Sequence, residues 1–503
     1  MADMEYKNGA LCLDKLDIGV QYEHIKDQEG RSEITTDSEG KIISYRDSAG
    51  VKHELVGINT KEVISNSGNI DVLNTKEINF VGVNPTKATS VYLEKPKFAE
   101  FYFYGNLPTD ESSERIPTTL DFIYKVNGQA LLSAKCTLAI QGHGSKSYPK
   151  KGYTFEPINV DGDAIDIKWG DMISVDSYHL KAYYSDRTHS RGVGGAKVWR
   201  KMVEQLPYPY NKVNNKTLNI ERGQKIDAYC IADAKYSEDG FPCAFYLNDE
   251  FHGLYTMKLK KNRKNYGMEK SNKSEIFLDC LGFDDAPGHS AKLDDPFDAG
   301  AWDLKNPKLK NYEEGGPITD ATVLANIERL FNFTNNITTM YAQHEDYIVL
   351  PHWLAWFIHC ELIGDVDKNG NNLELATWDA THWSILPYDM DLTVGCYGGG
   401  HIYTEYSGYV LTPTFYQNFR NCYEQEIKEL YTKLRKNGCI EINNLYKTYL
   451  GQIEAIPRFI YEMDVKRWPN GIWEDNEWPV LEQIYSYLES RIEYLDNVWL
   501  IND

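Results

Sequence analysis

The sequence predicts an α+β chain in which a β-rich front lobe precedes a helical back lobe, with a small β-hairpin-rich module ahead of both. Three observations predict it. Short β-prone runs broken by turn residues dominate the first part, apolar residues at helical spacing dominate beyond Thr319, and a stretch rich in Asp, Gly, Pro and Asn separates the two. The divisions fall at residues 1–90, 91–278, 279–318 and 319–503.

In chain order, residues 30–60 alternate β-prone runs (Lys41–Tyr45, Val51–Ile58) with turns at Ser38-Glu39-Gly40 and Asp47-Ser48-Ala49-Gly50, the pattern of small hairpins. Asn59-Thr60-Lys61-Glu62-Val63 nearly recurs as Asn74-Thr75-Lys76-Glu77-Ile78, two copies where a stable repeat stack needs three or more. So polar a segment buries little apolar surface alone, and reads either as a module that gains stability from other subunits or a partner, or as a loosely ordered leader. From about Ser90 aromatic residues become frequent, and Phe98–Tyr104 and Thr118–Ala134 read as strands of a compact domain. A helix is expected over Thr188–Gln205, and further helices at Val323–Phe333, His352–Leu362, Tyr416–Lys436, Ile442–Tyr461 and Trp478–Leu500. Residues 279–316 read as a long surface loop or insertion.

Composition narrows the function. The chain has 503 residues, enough for two to four folding units at about 100–200 residues each. With 42% apolar and 25% charged residues it is an ordinary globular sequence. A net charge of −21 repels phosphate backbones, so no nucleic acid is expected as partner. Nine cysteines without a CxxC pair suit neither a disulfide framework nor a zinc site. Asp14, Lys15 and Asp17 interrupt the apolar residues near the start, so no secretion signal is expected and the location is cytoplasmic or, for a particle component, the virion. The most apolar stretch, Tyr347 to Gly364, contains His352, His359 and Glu361 and reads as a buried helix rather than a membrane span.

Four segments carry possible chemistry. Gln141-Gly142-His143-Gly144-Ser145 runs into Pro149-Lys150-Lys151, a glycine-rich turn whose free backbone N–H groups can approach phosphate oxygens while a strand lysine neutralises them. Many hairpins with a solvated lysine pair look the same, so this turn alone identifies nothing. Phe245–Lys258 is a hairpin turning near Asn248-Asp249. Asp367 and Asn372 follow the apolar helix at DxxxxN spacing, with which kinase catalytic loops present a carboxylate to the acceptor hydroxyl and an amide oxygen to Mg²⁺. After an apolar strand, Asp389 and Asp391 stand at i and i+2, facing the same side if the strand continues. With no lysine nearby in sequence, such a pair is costly unless a divalent cation binds there.

In their order and wording these segments resemble the CotH kinase family, the spore-coat CotH-like atypical protein kinases, over roughly residues 95–500. Gly142–Lys151 is similar to the family's glycine and serine turn before Pro-Lys-Lys, Asn248–Tyr255 to its "NGe, then GlY" hairpin, and Asp367–Asn372 to its acid-plus-Asn loop. Pro387–Gly395 resembles its "pWDxDxxxG" segment, with Tyr388 replacing the tryptophan, and Asp186–Arg191 resembles its "D, then S, then R" helix start. The resemblance implies a bilobal atypical protein-kinase-like fold that binds ATP with Mg²⁺ and transfers phosphate to Ser or Thr hydroxyls of a protein substrate. It implies that Lys150 or Lys151 holds the phosphates, beside Gly142, Gly144, Ser145 and Arg187, and that Asp367 is the catalytic carboxylate. Asp391, with Asp389, would ligate the metal, assisted by Asn372. One departure stands out: after "GlY" the family usually continues with an acid, whereas this chain runs Lys258-Leu259-Lys260-Lys261-Asn262-Arg263-Lys264.

Other readings compete. Asp365-x-Asp367-x-Asn369-Gly370 opens like a calcium loop, but position twelve is Ala376 where a bidentate glutamate is needed. The stronger rival is a catalytically inactive, kinase-like structural protein of a phage virion, because residues 1–90 resemble the attachment segments of tailed-bacteriophage particles. Such a chain would meet an assembly partner, or further copies of itself, through that module. No GxSxG, no HExxH and no P-loop spacing is present.

Overall fold

The computed structural model describes residues 85–109, 116–142, 144–206, 234–282, 288–397, 401–469 and 481–501, and the backbone of short strands between 5 and 71 and at 212–217. Of the expected N-terminal module, most residues lie outside this set, as does the near-repeat at 59–63 and 74–78 but for Val63. Within it, Ile42–Arg46 pairs antiparallel with Ile34–Thr36 and Lys52–Glu54.

The front half is built from β1 (Ser90–Leu93), β2 (Ala99–Tyr104), β3 (Thr118–Val126), β4 (Gln129–Gln141), β5 (Gly152–Ile158), β6 (Asp166–Trp169), β7 (Tyr178–Lys181), β8 (Gly240–Leu247) and β9 (Glu250–Leu259). Seven of them close a barrel in the order β3-β4-β5-β7-β9-β8-β2, sealed by the parallel pairing of β8 with β2. Period-two alternation explains why these residues make strands: in β2, Ala99, Phe101 and Phe103 are buried while Glu100, Tyr102 and Tyr104 are half-buried. The barrel fills with aromatic rings, with Phe122 and Phe155 edge-on at 5.1 Å between centroids. Thr118–Ala134 is two strands, because Asn127 and Gly128, at φ 50 and 77, turn the chain back on itself as an Asn-Gly hairpin does. The β8–β9 turn falls at Asn248-Asp249, where the sequence places it.

The back half packs helices around an antiparallel sheet of β10 (Ile276–Cys280), β11 (Trp302–Asn306), β12 (Leu373–Thr377) and β13 (Trp383–Pro387), in the order β11-β10-β12-β13. The segment read as a loop thus contains a strand, β11, whose register with β10 buries Trp302 and Leu304. The helices are α1 (Arg191–Val203), α2 (Ala321–Thr334), α3 (Ile337–Gln343), α4 (Leu350–Ile363), α5 (Thr414–Cys422), α6 (Glu424–Lys436), α7 (Ile442–Ile453), α8 (Arg458–Arg467) and α9 (Leu481–Trp499). The expected helix over 442–461 breaks because Pro457 cannot continue α7 and instead starts α8. The one over 416–436 breaks at Tyr423.

Two elements set up the site. In α4 every residue from Trp353 to Ile363 is buried, and Gly364 ends the helix in the left-handed region. No side chain fits at Gly364, where a Cβ would lie 2.0 Å from the Tyr487 hydroxyl. Beyond it, the chain enters the loop carrying Asp367. The second element, α8, lays Ile460, Tyr461 and Val465 against Ala244 and Leu254 of the barrel. No helix among the described residues is long and apolar enough to cross a membrane.

Candidate active site

Strand β13 ends at Pro387, and Asp389 takes φ 51, so the chain does not continue as the strand the sequence suggested. Aspartate tolerates that conformation better than most residues, and here it turns the carboxylate toward the barrel. Lys181, the last residue of β7, lies 2.9 Å from Asp389 Oδ2, and Lys258 of β9 lies 2.8 Å from Oδ1. The like-charged pair therefore does have lysines beside it, delivered from strands far away in sequence. Lys258 is fully buried and also pairs with Glu238 at 2.9 Å, while the Asp389 N–H donates to the same Glu238 carboxylate. Burial disfavours ionised Asp389, but Lys181 and Lys258 outweigh it and hold the carboxyl well below its usual range. The same partners hold the Lys258 ammonium well above its own, against the cost of burial.

Asp391 has the opposite balance. Burial and the neighbouring Asp389 charge push its carboxyl up to about 7, with Lys181 and Lys258 only partly opposing. Asp367, in the short turn Val366–Asn369, is likewise raised by burial, against Lys368, with the charge on Asp389 adding to the rise and the Asn372 side chain bonding to it. Asn372 stands at φ 49, the other non-glycine site residue held in the left-handed region. The loops carrying Asp367 and Asp389 are tied together by Lys368, which is buried, 3.1 Å from Asp365 and 2.8 Å from the Tyr388 carbonyl. Asp365 is thereby committed to a lysine, which removes the first ligand of the calcium-loop reading.

From the barrel side comes the glycine turn. Gly142 sits at φ 108, and a Cβ there would lie 2.0 Å from Ser145 Oγ, so only glycine lets the chain fold this tightly. Residues 144–147 make one 3₁₀ turn, with Ser147 Oγ donating to the Gly144 carbonyl at 2.8 Å. Gly142, Gly144 and Ser145 line a cavity of about 520 Å³ together with Asp367, Asn372, Asp389 and Asp391, and with Lys181, Lys260, Lys261 and Lys305.

Three residues assigned to this site by sequence stand elsewhere. Lys150 is buried, with its ammonium 2.9 Å from Asp464 and donating to the Leu254 carbonyl at 2.6 Å. Lys151 donates to the Lys146 carbonyl, and Arg187 is buried near Tyr461 and Asp464. None of the three lines the cavity. The cause is α8, whose Asp464 offers a half-buried carboxylate beside Lys150 just ahead of β5. The Asp186–Arg191 pair of the helix start is also structural: Arg191, fully buried, reaches across to Gln483 of α9 at 2.6 Å.

Sequence reasoning missed Lys181, Glu238 and Lys368. Lys181 meets Asp389, and Glu238 meets the Asp389 N–H, across more than a hundred residues, while Lys368 pairs locally with Asp365 but reaches the other acidic loop only through the Tyr388 carbonyl. Lys258 carried a signal as the first residue of the basic run. Tyr388 and that run, the two departures from the family pattern, meet in space: Lys258 and Lys261 stand 4.6 and 4.5 Å from the Tyr388 ring centroid.

The donor set fits a magnesium nucleotide. Among the described residues no three His, Cys, Asp or Glu side chains form a metal cage by themselves. Mg²⁺ characteristically needs none, taking one or two carboxylates plus phosphate oxygens and water. Asp391 and Asp367 are carboxyls whose burial is unbalanced by a nearby cation to the degree Asp389's is, and Asn372 adds a neutral oxygen beside them. The cavity volume lies within the roughly 300–1,000 Å³ of small-molecule sites.

A family model described as CotH kinase protein matches residues 138–495. That span takes in the Gly142 turn, α1, the β8–β9 hairpin, both acidic loops and most of α9. No curated protein matches the chain.

Proposed function

The chain belongs to the CotH kinase family, and from that membership we propose that it is a two-lobed atypical kinase that binds Mg-ATP in the 520 Å³ cavity and transfers phosphate to Ser or Thr hydroxyls of a protein. One observation carries this reading: Asp367, Asp389 and Asp391, from two loops of the helical half, meet the Gly142 turn and Lys181 of the barrel around a single cavity. When bound, the magnesium nucleotide supplies an activated phosphoryl group with part of its charge neutralised. The protein's task is then positioning and electrostatics. Backbone N–H groups of the turn at Gly142, Gly144 and Ser145 would meet the phosphates, and Lys181 places a positive charge at the cavity wall, the role the resemblance implied for Lys150 or Lys151. Asp391 with Asn372 would hold the metal, and Asp389, fixed by its two lysines, supplies the charge that raises the Asp391 carboxyl. Asp367 accepts the proton of the acceptor hydroxyl, helped by a carboxyl raised toward neutrality.

The test is transfer of label from γ-labelled ATP to a serine-containing protein, by wild type and by Asp367→Asn. Loss of about 10²–10⁴-fold in transfer with nucleotide affinity retained is expected for a general base. Equal transfer by the two proteins would remove Asp367 from the reaction.

A second reading is favoured by Lys258. Where the family usually carries an acid, this chain places a buried lysine that neutralises Asp389. A kinase-like structural protein of a phage virion, attached through residues 1–90, would tolerate that loss of a metal-binding charge. Nucleotide binding without transfer to any acceptor, the chain itself included, is the outcome that selects this reading.

A further inference from the structure

A second cavity, of about 570 Å³, opens between α1, α7 and the stretch around Lys235, and it shares no lining residue with the first. Among the described residues its wall carries Lys197, Arg200, Lys201, Lys235 and Lys447 against two acids, Asp171 and Glu204, in a chain whose net charge is −21. Arg200 is committed to Ser237 Oγ at 2.8 Å and the Glu238 carbonyl at 2.6 Å, and Lys235 to Asp171 at 2.7 Å. Among the described residues Lys201 donates only to a neutral group, Thr448 Oγ1, at 2.7 Å. Lys197 and Lys447 make no hydrogen bond or ion pair among the described residues. Lys197 is partly buried, and its ammonium is disfavoured by that burial, opposed first by the charge of Asp239, with Lys95, Arg200 and Lys201 adding to the cost. Among the described residues, Lys197, Lys201 and Lys447 thus bring three ammonium groups from two helices to one space with none of them in an ion pair. Gly451, with nothing within 4 Å of where its Cβ would be, leaves the α7 wall open.

We infer that this cavity is a binding site for a phosphate dianion, either inorganic phosphate or a phosphate monoester, held by Lys197, Lys201 and Lys447. A monovalent carboxylate would leave two of the three charges unmet, whereas a dianion with three acceptor oxygens can receive an ammonium on each. The site stands apart from turnover in the first cavity and holds whether or not that cavity transfers phosphate. It is nonetheless mechanically adjacent: Arg200 holds the Ser237 hydroxyl and the Glu238 carbonyl, and the Glu238 side chain pairs with Lys258.

The experiment is isothermal titration of the full-length protein with inorganic phosphate and, separately, with a phosphoserine peptide, each against sodium chloride at matched ionic strength. Saturable binding is expected, weakened at least tenfold in the double variant Lys197→Ala/Lys201→Ala and unchanged in Lys428→Ala, which removes a surface charge elsewhere. Lys447→Glu, at an exposed position, should weaken binding equally and covers the case in which the double variant does not fold. Binding of both ligands means the phosphate group suffices, and binding of the peptide alone means a phosphorylated chain is the source; either supports the site. No saturable binding, or the same affinity in the double variant or Lys447→Glu as in wild type, overturns it.

Discussion

Lys258 Nζ lies 2.8 Å from Asp389 Oδ1 and 2.9 Å from Glu238, so one fully buried ammonium holds two carboxylates from separate segments against the barrel wall. Removing it strands both acids without their shared cation. Lys258→Met is expected to destabilise the fold by about 3–5 kcal/mol, the cost of breaking a buried ion pair from one side. Chemical denaturation checks this, and the double variant Lys258→Met/Glu238→Gln should recover part of the loss.

The Asp391 carboxyl gives a pH signature. Its folded pKa is about 7, above the ordinary 3.8, so the folded chain holds this proton more tightly than the unfolded chain. Between those two values, raising the pH ionises the unfolded form first, and stability falls; above 7 the penalty is constant. Asp391→Asn should therefore raise the unfolding temperature of the nucleotide-free protein at pH 8 and change it little at pH 4. Metal binding runs the other way, since a cation needs the ionised carboxylate. Magnesium-dependent nucleotide affinity should rise up to tenfold per unit from pH 5 to 7 and level off beyond, with the slope absent in Asp391→Asn.

Lys150 tests where the phosphate-binding charge resides. Lys150→Met leaves Asp464 and the Leu254 carbonyl without their buried partner and should lower stability by about 3 kcal/mol or more. Nucleotide affinity should stay within twofold of wild type. Lys181→Met should do the reverse, weakening nucleotide binding about tenfold or more with a smaller stability change, because Lys181 lines the cavity.

Gly142→Ala addresses the turn. The added Cβ meets Ser145 Oγ at 2.0 Å and occupies a φ of 108, so the turn must open. A displacement near 1 Å at a positioning element costs roughly ten- to a hundredfold in transfer. The fold should persist, because neither Gly142 nor Ser145 is buried.

The sequence carried the parts whose signals are local. Alternation in Ala99–Tyr104, the apolar run of α4 and the turn at Asn248-Asp249 are each written in a few consecutive residues and found where that pattern puts them; Asp367, Asn372, Asp389 and Asp391 line one cavity, although Asp389 leaves the strand on which its pair with Asp391 was expected to continue. The fold departs where a weak signal sits in a misleading background. Five residues of β11 are a strand inside a stretch whose Asp, Gly and Pro content reads as loop, and Asn127-Gly128 is a hairpin inside what looks like one strand. The site departs where partners are chosen at long range. Lys150 and Lys181 are both strand-end lysines, and only the docking of α8, with Asp464 on its inner face, decides that the first is buried in a clamp and the second faces the cavity. Likewise the basic run at 258–264 gives no hint that its first member is fully buried while Lys260 stays near the surface.

The most direct measurement is equilibrium binding of ATP to wild type and Asp391→Ala, with magnesium and with EDTA. Saturable binding that needs magnesium in the wild type and disappears in a folded Asp391→Ala protein is the expected result. Binding in Asp391→Ala equal to wild type, or no magnesium-dependent binding by the wild type, would contradict the assignment of this cavity to a magnesium nucleotide.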